Sequence, residues 1–133
     1  MKSIAPIALL SLLCAGCHLH RLPRDFEGLW RVEFEGSQFC PAPARECTYV
    51  PSEARKGPLI WLKFASEFPA EARDMPSGVY AVNFTGRRSL FQGSCGHLGM
   101  YDEEVIVDHM ISIRKIKSLP KGQADPNAVE LGQ

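Results

Sequence analysis

Among the side chains able to do chemistry in this chain of 133 residues, the most suggestive grouping lies in one glycine-punctuated stretch, Gly93-Ser94-Cys95-Gly96-His97-Leu98-Gly99-Met100-Tyr101-Asp102. Cys95 and His97 together suggest a thiol activated by an imidazole, as in nucleophilic and redox cysteines. Closeness in sequence is weak evidence for that geometry, because catalytic partners meet across a fold and a third group orients the base. The simpler reading is a connection in which Gly93, Gly96 and Gly99 allow tight turns and His97 bonds locally. His109 and Asp108 with His97 lack any spacing that singles out a metal site, so no metal and no other cofactor is expected. His109 shares the phase of Val105, Val107, Ile111 and Ile113, which aims it into a core unless a bulge near Asp108 turns it to solvent. Arg87 and Arg88 invite an anionic group, but adjacent arginines are more often a solvated turn. The residues retained as ligand-site candidates are His97, Tyr101, Arg87 and Arg88.

These side chains need elements to hold them, and the body of the chain reads as short strands between turns. Leu29 to Gly36 alternates, with Trp30, Val32 and Phe34 on one face and Arg31, Glu33 and Glu35 on the other. Leu59 to Phe64 is apolar in both phases, as in a deeply buried strand. Val79 to Thr85 follows Pro76-Ser77-Gly78 and ends at Gly86, and the longest run is Val105 to Ile113. Residues 66–75 hold at most a helical turn or two interrupted by Pro69. Four or five strands in one small domain predict an all-β fold, an OB-like barrel ahead of a small sandwich, since closure removes exposed edges. The β domain is placed at 26–117, with a loose tail over 118–133.

The first residues are of another kind. Lys2 precedes an apolar run, Ile4 to Leu13, broken only by Pro6 and Ser11. The run is too short to cross a bilayer, which takes roughly 20 residues, and reads as a secretory signal. It leads into Cys14-Ala15-Gly16-Cys17, which resembles the bacterial lipoprotein signal, with Cys14 where that pattern prefers Leu. The resemblance implies a thioether on Cys17, cleavage before it, acylation of the new amino terminus and a membrane held through lipid. It also implies an outer-membrane address, with the domain facing the periplasm, because His18 rather than Asp follows Cys17. Ordinary cleavage after Ala15 or Gly16, giving a soluble periplasmic protein, is the alternative. On the lipoprotein reading 1–16 is a signal peptide and 17–25 a lipidated tether, with His18 and His20 solvated and Arg21 and Arg24 near head groups.

Export to an oxidising compartment decides how the cysteines are sorted. Five cannot all share one role. Cys14 leaves with the signal, Cys17 carries lipid, and Cys40 and Cys47, flanking a turn-rich loop, are expected to pair. Cys95 is then free, unless it pairs with one of those two.

Composition excludes more than it assigns. The chain carries 15 basic and 15 acidic residues, and removal of 1–16 takes only Lys2, leaving a net charge of −1. Such a balance is unlike a basic nucleic-acid binder, and no nucleic-acid partner is expected. Phe84 to Leu90 and Gly96 to Tyr101 resemble a recurring pattern in small bacterial envelope proteins, which implies a shared β architecture and no particular activity. The expectation is a non-enzymatic binding or accessory module for an envelope protein or small ligand. The alternative is a small periplasmic hydrolase or thiol-redox enzyme using Cys95, His97 or His109.

Overall fold

The computed structural model describes residues 16–49, 54–66 and 76–120. Five strands form a closed barrel: β1 (Arg24–Glu33), β2 (Gly36–Pro41), β3 (Ile60–Phe64), β4 (Gly78–Arg88) and β5 (Glu103–Ser118). Around the barrel the order is β1-β2-β3-β5-β4, all neighbours antiparallel except β3 with β5. This is the OB-like barrel that the strand pattern predicts, and it leaves no open sheet edge where closure holds.

The interior is built on aromatic rings. Phe84 is fully buried, stacked on Phe26 with centroids 5.4 Å apart and met edge-on by Phe39 at 5.3 Å. Trp30 meets Phe64 at 5.4 Å, and its indole N–H donates to Ser37 Oγ, which donates to the Leu62 carbonyl. A buried indole N–H without a partner would cost about 1–3 kcal/mol, so Ser37 lets a tryptophan fill this end of the barrel.

Three findings correct the strand reading. The alternation beginning at Leu29 breaks at Glu33, because Phe34 and Glu35 form the turn into β2, Glu35 with φ of 58°; Phe34 points outward and is 85% exposed. The short strand β2 is an addition to the expected runs, lying in a polar, Pro-flanked segment without an apolar alternation of its own. In β5, register shifts against β4 leave Asp108, Ile111 and Ile116 each opposite no single partner. Each extra residue reverses the phase, so Val105, Val107, Met110 and Ile113 face the core while His109 faces solvent. The bulge at Asp108 thus overrides the core placement of His109. Gly86 sits at that bulge, where a Cβ would lie 2.3 Å from the Ile106 carbonyl oxygen.

The turn expected near Pro69 falls largely outside the described residues, as do residues 1–15 and 121–133. Residues 17–25 differ from a free tether. Arg21 N–H donates to the Arg88 carbonyl and Leu90 N–H to that of Leu19, so this segment lies along the end of β4, and β1 already starts at Arg24. His20, expected in solvent, sits against Glu104, Nε2 to Oε1 3.0 Å.

Candidate functional site

The connection between β4 and β5 folds back across the outer face of β2 and β3, so the Gly93–Asp102 stretch lies over a wall of the barrel. The backbone of Gly96 lies on the Trp61 indole, with φ of 68°, and a Cβ there would sit 2.7 Å from the ring. Tyr101 meets the same indole edge-on, centroids 4.8 Å apart. Tyr101 and Cys95 bridge each other through backbone bonds of 2.7 and 3.0 Å, closing the loop on itself. Burial pushes the Tyr101 phenol upward; a hydrogen bond with the Ser37 backbone opposes this, and the nearby Glu33 and Tyr49 reinforce it. His97 Nε2 stands 3.4 Å from a Glu35 carboxylate oxygen, joining this loop to the β1–β2 turn.

Cys95 is neither free nor bonded to Cys40 or Cys47. It is buried and forms a disulfide with Cys17, while Cys40 pairs with Cys47 as expected. Cys17 therefore fastens the incoming chain to the β4–β5 connection, and Gly93 leaves just enough room, its hypothetical Cβ 3.4 Å from the Cys17 sulfur. A sulfur in a disulfide has no valence for a thioether. The lipid expected at Cys17 and this bond are alternative fates of one atom.

The other candidates are held apart. Arg88 makes a two-pronged ion pair with buried Glu103, and Arg87 does the same with Asp108, whose carboxylate favours the charged guanidinium. Neither arginine is a solvated turn residue, since both lie at the end of β4. Their partners follow from the register, which sets Arg88 beside Val105 and Arg87 beside Ile106. His109 projects from the outer wall beside Thr85, away from the β4–β5 connection's glycines. Among the described residues no group of three or more His, Cys, Asp or Glu is placed to hold a metal ion.

What the structure does assemble is a recess. Next to the loop-covered face an open cleft of about 370 Å³ is lined mainly by Trp30, Val32, Trp61 and Phe64, with Glu35 and Lys63 among its charged rim. Apolar walls with few polar groups are the usual make-up of a small-ligand pocket, and the β2–β3 face with its flanking loops is where OB barrels bind. Of the residues singled out from sequence, Tyr101 and His97 lie beside Trp61 on this side of the barrel, whereas Arg87 and Arg88 do not. Trp61 lies in a run that is apolar in both phases, and the outward phase of β3 is readable only once β2 is recognised as its neighbour. Comparison with protein-family models, curated proteins and solved structures found no match.

Proposed function

We propose that this protein is a non-enzymatic binding module of the bacterial envelope, exported by its apolar leader and held at the membrane through lipid on Cys17. The observation that carries the binding reading is the open cleft walled by Trp30, Val32, Trp61 and Phe64 on an OB-like barrel. It offers apolar contact area and two flanking loops, and it does not converge a nucleophile, a base and an orienting group. The residues on which an enzyme would rely are held apart: Cys95 is buried, His97 stands beside Glu35 and His109 lies out on the wall.

A photo-reactive side chain at Lys63, on the cleft rim, tests this in intact cells. The binding reading expects one discrete adduct, protein or small molecule, that is lost on Trp61→Ala; the absence of any adduct from this rim would remove it. Activity abolished in a folded His97→Ala variant would instead favour the periplasmic enzyme.

The Cys17–Cys95 disulfide favours a second reading, a soluble periplasmic module cleaved after Ala15 or Gly16. Lipid transfer acts on the leader while it is still in the membrane, whereas the disulfide needs the folded barrel, and this order of events favours the lipidated form.

A further inference from the structure

We propose that the barrel end where β1 begins and β4 ends lies against a lipid bilayer, with Leu19, Leu22, Leu90 and Phe91 at the interface. The proposal rests on the membrane-held reading above. The lipid-bearing chain begins at Cys17, whose sulfur and amide nitrogen lie 3.4 and 3.9 Å from a hypothetical Cβ on Gly93. The attachment point and residues 90–93 are therefore side by side. Backbone bonds from Arg21 to Arg88 and from Leu90 to Leu19, with the His20 to Glu104 contact, keep them so whether or not the Cys17 sulfur is bonded to Cys95.

The exposed side chains around this point suit a bilayer interface. Leu22 is 87% exposed and Phe91 54%, and Leu19 sits across from Leu90, both turned to solvent. Basic groups flank them: Arg21 is exposed, and the Arg24 guanidinium sits 4.5 Å above the Phe26 ring at the mouth of the barrel. Of the acidic groups nearby, Glu103 pairs with Arg88, Glu104 with His20 and Asp102 with Arg55, while Asp25, next to Arg24 in sequence, accepts from the neutral Thr85 hydroxyl. Exposed Leu and Phe flanked by exposed arginines is the combination that enters the head-group region and attracts anionic lipid.

The test uses the full chain exported in bacterial cells, with p-benzoylphenylalanine replacing Leu22 or Phe91, or Ile111 or Lys115 on the far half of β5. After irradiation of isolated membranes, mass spectrometry should find phospholipid adducts at 22 and 91 at least several-fold above those at 111 and 115. All four positions are exposed, and protease resistance equal to that of the parent verifies folding. A membrane-bound chain with equal lipid adducts at all four sites, or with protein adducts in place of lipid at 22 and 91, overturns the orientation and leaves the anchor standing. A chain recovered in the soluble fraction overturns both.

Discussion

At the scale of single residues, Gly96 and Trp61 set how the β4–β5 connection sits. Gly96→Ala places a side chain at φ of 68° and within 2.7 Å of the indole, so we expect a loss of about 2–3 kcal/mol from left-handed strain and displaced packing. Gly36→Ala is the contrast, since its Cβ would meet nothing nearer than 3.5 Å and should cost less than about 1 kcal/mol. Denaturant midpoints of the two variants check this, and equal losses would contradict the account. Phe84→Ala empties the centre of the aromatic cluster and should cost about 3–5 kcal/mol. Tyr101 provides a pH signature. Its phenol is raised above the ordinary value of 10.0, mainly by burial, so folding favours the protonated form. That contribution is complete below pH 10 and disappears as pH rises through the folded value. Thermal midpoints measured from neutral pH upward should therefore fall more steeply above pH 10 in the parent than in Tyr101→Phe; parallel curves would show that Tyr101 is not the group responsible.

At the scale of elements, the two disulfides differ mainly in the chain they close. Their sequence separations are 78 and 7, and chain entropy gives about 4.5 kcal/mol for Cys17–Cys95 against about 2.4 kcal/mol for Cys40–Cys47. In the oxidised, unlipidated chain Cys95→Ser should thus destabilise roughly twice as much as Cys47→Ser by urea titration; the reverse order would mean that the N-terminal strap is held by its backbone bonds and the His20 to Glu104 contact alone. The strands were legible where alternation survives: β1 through Trp30 and Val32, β3 and β4 through their apolar runs, and the first part of β5. They were not legible where the physics is non-local. The phase of β5 is reset by bulges that exist only against β4, so His109 looked buried and is not. Ser37 to Cys40 becomes a strand because β1 and β3 pair with it on either side, not through its own composition. The site suffered the same limit: His97 and Tyr101 stood out, but their neighbour Trp61 depended on knowing β2, and Cys95 found its partner far away in the segment assigned to a tether.

For the whole molecule, the barrel supplies the frame, and under the proposed function the cleft beside Trp61 is the place to bind and Cys17 the point where frame and membrane meet. Its sulfur decides between the two forms of the protein, since thioether and disulfide exclude each other. Lipidation leaves Cys95 as a thiol, whereas the disulfide leaves Cys17 without lipid. The most direct measurement is the intact mass of the exported chain, isolated without reductant, unfolded and then treated with a thiol reagent. The account predicts a chain in the membrane fraction that begins at an acylated, diacylglyceryl-modified Cys17 and has one reactive thiol, at Cys95. A soluble chain beginning at Gly16 or Cys17, with no lipid and no reactive thiol, would contradict it.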